Sequence, residues 1–316
     1  MRIRKLILQP LMTDDECKQL VGEHLGSEYI TEYIDYSVDI YNTEGELLCK
    51  FRKNAINPEI AQVGWNSYKD LAKASRVRGA SAGMIDPNNT YWKKRIIGTT
   101  NKWSTTYVNK DGQESKMKVN NQVASQALGY YEESKGIKHL PCRLTTFTKL
   151  HYNKYTAGLP YIHALNDRYK KLNYPKWKQQ HNRAKLKKEY SIDNTAYSTI
   201  TINRNFRTAL HKDAGDFGGW ATLSVLERGQ YNGGCFMMPK YGIGIDMRHG
   251  DVLVADVHQY HANSEIWTTP EQDKYNESLP IVFKDNPEVG TIGLDKKYTR
   301  ISFVCYLREK IVQCNL

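Results

Sequence analysis

The run Asn203-Arg-Asn-Phe-Arg-Thr-Ala-Leu-His211-Lys-Asp213 closes a segment that begins at Thr199 and is rich in β-branched residues. It reads as a strand that delivers a His-x-Asp pair at its end. From there the chain repeats one theme. Short apolar segments at Ala221–Leu226, Cys235–Met238, Gly250–Ala255 and Arg300–Leu307 alternate with turn chemistry at Asn232-Gly-Gly234, Pro239-Lys-Tyr-Gly242 and His249-Gly-Asp251. Many short strands with Gly-rich turns point to a barrel or sandwich. The expected core over 140–316 is a double-stranded β-helix, a cupin-like jelly roll, with insertions at 150–198 and 264–299. Residues 1–139 are expected to be a helical and mixed region that packs helices and extra strands around that core, giving an α+β chain with a mainly β centre.

Before the core, Thr13-Asp-Asp-Glu16 is a capping box that predicts a helix from residue 14 to about Leu25. Tyr33–Tyr41 and Leu47–Phe51 alternate like strands. Residues 58–77 and Asn120–Glu133 read as helices, Arg143–Thr148 as a strand, and 78–120 shows little periodicity.

The 316 residues are 40% apolar and 25% charged, as in ordinary globular chains, but the net charge is +11. Such a balance favours polyanions, nucleic acid above all. Six cysteines lack paired spacing and several lie in apolar runs, which predicts reduced core thiols. The opening apolar run breaks at Gln9-Pro10, too early for a secretory core, and no stretch approaches a membrane span. The expectation is a soluble intracellular protein of cytoplasm or nucleus, a viral or phage protein in its host included, with no membrane and no obligate protein partner.

Two histidines and one carboxylate form the facial triad of a non-haem Fe(II) oxygenase, which leaves coordination positions open. His211 and Asp213 supply two ligands, and His261 is the choice for the third, with His258 competing and His249 nearby in a turn. Zinc suits the set less well, since it lacks cysteine. If 199–211 is extended, Asn203, Asn205, Arg207, Ala209 and His211 share one face. Arg300 and Ser302 also share a face, and a guanidinium there can hold a carboxylate in a two-pronged grip. Singly, each motif has an ordinary explanation: a surface His-x-Asp, a hydrogen-bonded histidine, an ion pair at a sheet edge. Their order along the chain is what chance does not supply.

That order resembles the TET/J-binding-protein oxygenases. The resemblance rests on 203–213, Gly233-Gly-Cys-Phe-x-x-Pro239-x-Tyr-Gly242, Gly250-Asp251, His258-x-x-His-Ala-Asn263, Pro141–Thr148 and, weakly, Arg78-Gly-Ala-Ser-Ala-Gly83. It covers 140–263 and 298–308. It implies oxidation, by Fe(II), 2-oxoglutarate and O2, of a pyrimidine 5-methyl group in DNA, on 5-methylcytosine or thymine. His211, Asp213 and His261 would be the iron ligands and Arg300 the 2-oxoglutarate anchor, with Arg308 as fallback because 264–299 separates Arg300 from the last ligand. Ser302, Arg207 and Asn205 are further co-substrate candidates. The long insertion is the candidate for a loop covering the substrate.

Residues 168–188 hold nine Lys/Arg and no acid, interleaved with Tyr169, Tyr174 and Trp177. Such a stretch can neutralise phosphates and stack on a base. Lys176, Trp177, Lys178 and Arg183 are therefore DNA candidates, with Asn203 and His258 as base contacts. Tyr91-Trp-Lys-Lys-Arg95 is a second, weaker basic-aromatic piece. Two rival readings are an oxygenase of the same fold acting on a metabolite or a protein side chain, and an inactive nucleic-acid-binding module.

Overall fold

Alternating apolar residues in the second half become two facing sheets. The computed structural model describes residues 3–70, 74–93, 95–135, 139–280 and 298–314. From the N-terminus, β1 (Arg4–Leu8), helix α1 (Asp14–Gln19), β2 (Glu32–Ile34), β3 (Val38–Asn42) and β4 (Leu47–Arg52) precede helix α2 (Pro58–Tyr68). After β5 (Ala74–Ser75) and α3 (Thr90–Lys93) come β6 (Ile97–Thr100), β7 (Thr105–Val108), β8 (Glu114–Val119), β9 (Val123–Tyr131) and β10 (Arg143–Leu144). Helices α4 (Thr146–Leu150), α5 (Tyr152–Ala157), α6 (Leu159–Leu172) and α7 (Tyr174–Lys185) lead to β11 (Thr199–Arg204) and β12 (Trp220–Arg228). The chain continues through β13 (Asn232–Gly233), β14 (Phe236–Met238), β15 (Ile243–Ile245), β16 (Val252–Asp256), β17 (Ala262–Asn263) and β18 (Ile266–Trp267). Helix α8 (Pro270–Glu277) and strand β19 (Thr299–Tyr306) follow.

The major sheet runs β1-β3-β4-β16-β12-β19-β11-β9-β10, with β5 also on β9, and the minor sheet runs β17-β14-β15-β2. Leu223, Val225, Leu253 and Ala255 of the first meet Phe236, Met238, Ile243 and Ile245 of the second in one buried cluster. Ile200, Ile202, Val254, Ile301, Phe303 and Cys305 point the other way, onto Trp65 and Tyr68 of α2 and Tyr161, Leu165 and Tyr169 of α6. This is the expected jelly-roll core, two sheets face to face and not closed into a barrel, with helices backing the larger sheet. Strands β1, β3, β4 and β9 from the first 139 residues are hydrogen-bonded members of the major sheet.

The structure corrects several expectations. The capping box at Thr13 and Glu16 is present, but α1 stops at Gln19, and Gly22 follows at φ 91°. Helix α2 ends at Tyr68 rather than 77, and residues 71–73 lie outside the described residues. Residues 120–133 are not helical: β9 pairs with β11 and β10 and, at its start, with β5. Long-range pairing outweighed the local pattern there. Gly129, at φ 84°, is needed because a Cβ would stand 2.3 Å from the Ser198 carbonyl oxygen. In 143–148 only Arg143 and Leu144 are strand, because the Thr145 hydroxyl caps α4 by accepting from the Thr148 amide. The unpatterned stretch 78–120 contains the three-stranded sheet β6-β7-β8.

Cysteine is a further correction. Cys17, Cys49, Cys235 and Cys305 are buried free thiols as expected, but Cys142 and Cys314 form a disulfide across 172 residues of sequence. It closes a small apolar cluster of Ala184, Leu307, Ile311 and Cys314 that also touches Phe217. No helix among the described residues is long and apolar enough to cross a membrane. A non-reducing digest should yield one cross-linked peptide pair joining Cys142 to Cys314. Cys314→Ser should lower the melting temperature by roughly 5 °C or more, since removing a long-range disulfide typically costs about 2–5 kcal/mol. Unlinked peptides, or an unchanged melting temperature, would contradict the pairing.

Candidate active site

Strand β11 is the last regular element before the His-x-Asp pair. It ends at Arg204 because Asn205 adopts φ 43°, so the alternation expected through His211 breaks there. Asn205 serves as a clamp. Its amide donates to the Arg300 carbonyl at 2.9 Å, its Oδ1 accepts from the Arg300 amide at 2.7 Å, and its Nδ2 donates to the Tyr298 carbonyl. Arg207 turns away as well, donating to the Leu25 carbonyl and pairing with Glu265 at 3.5 Å. Neither residue lines the cavity. Of the proposed row, Asn203 and His211 do.

His211 re-enters the sheet framework through a second contact. Its amide donates to the His261 carbonyl at 3.0 Å, and the His261 amide donates to the His211 carbonyl at 2.9 Å. The imidazole centroids consequently lie 4.3 Å apart. Each ring is fixed in the same way: Nδ1 stands 2.8 Å from the Ala209 carbonyl in His211 and 2.9 Å from the Gln259 carbonyl in His261. A carbonyl only accepts, so both Nδ1 atoms carry a proton, and Nε2 is the ring atom each histidine can offer to a metal. The Asp213 amide donates to the Val257 carbonyl, and its carboxylate lies 3.5 Å from His211 Nε2. One ligand atom from each of His211, Asp213 and His261 lies within 4.8 Å of the others. His258 is exposed on the turn, its amide bonded to Asp256, and it stands outside this group.

The protonation states suit a cation. Burial would raise the Asp213 carboxyl, but the His211 hydrogen bond and the charges of His261, His211 and Arg78 outweigh it and hold it at about 2. Burial, reinforced by His211, pushes the His261 imidazole down to about 4. An ionised Asp213 carboxylate beside a His261 imidazole that resists protonation suits a divalent metal.

Alternation along β19 does the rest. Ile301, Phe303 and Cys305 face the helices, while Arg300, Ser302, Val304 and Tyr306 line a cavity of about 380 Å³ shared with the triad. Arg300 is 3% exposed. Its Nη2 donates to the Gly234 carbonyl at 3.2 Å, and its Nε has no partner among the described residues. A buried guanidinium with unspent donors, facing a cavity, fits a carboxylate. Arg308 is already engaged, bonded to Glu132, to the Thr199 hydroxyl and to the Tyr306 hydroxyl, so it is the poorer anchor.

The cavity also holds Asp216 and Tyr306, which carry no role in the sequence reading, and Arg78, which enters there only as part of the weak 78–83 motif. Burial and the neighbouring Asp213 push the Asp216 carboxyl up to about 8 against the pull of Arg308, and its Oδ2 lacks a hydrogen-bond partner among the described residues. Only its place three residues after Asp213 marked it in the sequence. Among the DNA candidates, Lys176 and Lys178 are exposed on α7, and Arg183 lies over the Phe217 ring. Trp177 corrects its assignment. It is 8% exposed, donates to the Asn166 side chain and packs into the core, because α7 turns Trp177, Gln180 and Ala184 inward. Tyr169 is likewise buried, while Tyr174 is exposed. Residues 281–297 of the expected covering loop, 264–299, lie outside the described residues.

A jelly roll carrying an open His-Asp-His set and a buried arginine defines the class of 2-oxoglutarate- and Fe(II)-dependent oxygenases. Residues 126–309 match Tet_JBP, the oxygenase domain of the 2OGFeDO superfamily, and the chain belongs to that family. It is 32% identical over 173 residues to thymine dioxygenase JBP1 of Trypanosoma brucei brucei, which is 54% of this chain and 20% of that protein. It is 31% identical over 187 residues to the bifunctional helicase and thymine dioxygenase JBP2 of Trypanosoma cruzi, which is 58% of this chain and 15% of that protein. The chain thus spans a fifth or less of the length of these relatives. Its fold is similar to that of NgTET1 solved in complex with 5mC DNA, at a TM-score of 0.50 and 10% identity, covering 94% of this chain and 92% of that one.

His261 gives the metal-free site a signature in pH. Its folded value near 4 lies below the ordinary 6.5, so between these the unfolded chain binds a proton that the folded protein does not. Its stabilising contribution is present above 6.5 and is lost as pH falls toward 4. The melting temperature of metal-free protein should fall through that window, and His261→Gln should flatten the fall. Equal slopes in both proteins would contradict the assigned burial and neutrality of His261.

Proposed function

We propose that this chain is an Fe(II)- and 2-oxoglutarate-dependent dioxygenase that hydroxylates the 5-methyl group of a pyrimidine in DNA. The observation that carries the reading is the paired backbone of His211 and His261, which turns two Nε2 atoms and the Asp213 carboxylate into one cavity walled by Arg300. The thymine dioxygenases among its relatives weigh the choice toward thymine over 5-methylcytosine.

In this reading His211, Asp213 and His261 hold the iron. With O2 and 2-oxoglutarate bound, that centre supplies the oxidising power that replaces C–H by C–OH, with succinate and CO2 as co-products. Arg300, with the Ser302 hydroxyl two residues on, grips the far carboxylate of 2-oxoglutarate. Asn263 accepts from the Thr208 hydroxyl and donates toward the Gly234 and Cys235 carbonyls, which fixes the loop that follows His261. The Asp216 carboxyl on the same cavity wall, whose Oδ2 has no hydrogen-bond partner among the described residues, is open to a base edge. A methyl group stacked in a duplex cannot enter a cavity lined by the buried His261 and Arg300, so the base must be flipped out. Lys176, Lys178 and Arg183 on α7 neutralise phosphates around it.

Incubation of DNA containing thymine and 5-methylcytosine with protein, Fe(II), ascorbate and 2-oxoglutarate tests this. A +16 Da nucleoside on one pyrimidine is expected, absent with His211→Ala and retained with His258→Ala. Arg300→Gln should raise the KM for 2-oxoglutarate by about 10- to 100-fold, the loss of a charge-assisted pair worth about 1.5–3 kcal/mol. Succinate without any modified base would move the activity to a metabolite or protein substrate. No succinate and no modified base would favour the inactive binding module.

A further inference from the structure

The positive charge of this molecule is concentrated in two places. Residues 85–121 carry seven Lys/Arg against three acids, and 168–188 carry nine against none. Together these exceed the net charge of +11, so the remainder of the chain is slightly acidic. The second segment belongs to the surface around α7. The first forms α3 and the sheet β6-β7-β8, which stands apart from both jelly-roll sheets.

Lys93, Lys102, Lys110, Lys116 and Lys118 of this appendage are all exposed, and none forms an ion pair among the described residues. Lys50, Lys53, Lys154 and Lys240, by contrast, each face a carboxylate. The appendage is also fastened to the cavity rim. The Asn120 side chain accepts from the Gly79 amide at 2.7 Å and donates to the Trp103 carbonyl at 2.8 Å. The Asn121 side chain donates to the carbonyls of Ala82, Gly83 and Met84 and accepts from the Trp92 indole. Residues 77–81, which include the anchored Gly79 and adjoin Ala82–Met84, line the cavity that holds the triad. On a separate rim segment, Phe217 follows Asp213 and Asp216 and sits under Arg183 beside α7.

We propose that the β6-β7-β8 sheet is a second DNA-backbone contact, gripping the strand that flanks the base in the cavity while the α7 surface holds another part of the same substrate. Exposed lysines without ion pairs on one small sheet provide sequence-independent affinity for phosphates and release counterions on binding. Asn120 and Asn121 convert that grip into register, because the same side chains that hold the appendage hold the cavity wall. The inference rests on the reading of the site as a DNA-base oxygenase.

The test is fluorescence anisotropy of a labelled oligonucleotide, duplex and single-stranded, across a salt series, with thermal unfolding to verify the fold. Lys116→Gln/Lys118→Gln is compared with wild type and with Lys5→Gln/Lys149→Gln, which removes the same charge from exposed positions elsewhere. The appendage variant should bind several-fold more weakly. Its slope of log K against log salt should be shallower by about 2, roughly one unit for each phosphate no longer neutralised. Its KM for DNA should rise with kcat held, while the control pair stays near wild type. If wild type binds and oxidises DNA and the appendage variant matches the control, this surface is overturned and the functional reading stands. If wild type binds neither form of DNA, both fail.

Discussion

Two reciprocal hydrogen bonds between the backbones of His211 and His261 are the constraint on which the rest depends. They are not part of any long strand pair, yet they join the end of the β11 segment to the turn after β16, fifty residues later. Without them the rings would not meet, and Asp213, tied to the Val257 carbonyl on the same pair of segments, would have no shared target. Because each ring also gives its Nδ1 proton to a carbonyl two residues earlier, tautomer and direction are set by the backbone itself. Little side-chain entropy is left to lose when a metal binds.

The jelly roll contributes a dry wall on one side and a functional one on the other. Period-two alternation along β19 sends Ile301, Phe303 and Cys305 into the helix-backed core and Arg300, Ser302 and Tyr306 into the cavity. The same division on β11 sends Ile200 and Ile202 inward and presents Thr201 and Asn203. Asn205 links the two strands at the point where Arg300 emerges, which is why it holds a left-handed backbone conformation instead of a place on the cavity wall.

Much of this was legible in the residues. The strands of the second half, the His-x-Asp pair and the parity of Arg300 with Ser302 depend on local alternation, which sequence displays directly. Three things were not legible, each for a physical reason. The segment around Val123–Tyr131 is apolar enough for either a helix or a central strand, and only its partners β11, β10 and β5 decide. Extending the face of β11 through Asn205 and Arg207 assumed an unbroken strand, and one positive φ ended it. Trp177 looked like a stacking residue because lysines flank it, but on a helix it shares the inward face with Gln180 and Ala184. Asp216 has no motif of its own in the sequence and Arg78 only a weak one, since a carboxylate or guanidinium gains meaning only when a fold places it in a cavity.

The most direct measurement is an anomalous-scattering map from anaerobic crystals of the protein soaked with Fe(II) and 2-oxoglutarate. The account predicts one iron peak about 2 Å from His211 Nε2, His261 Nε2 and an Asp213 carboxylate oxygen, with the far carboxylate of 2-oxoglutarate against the Arg300 guanidinium. An iron peak bound by His258 in place of His261, or no peak between the paired histidines, would contradict it.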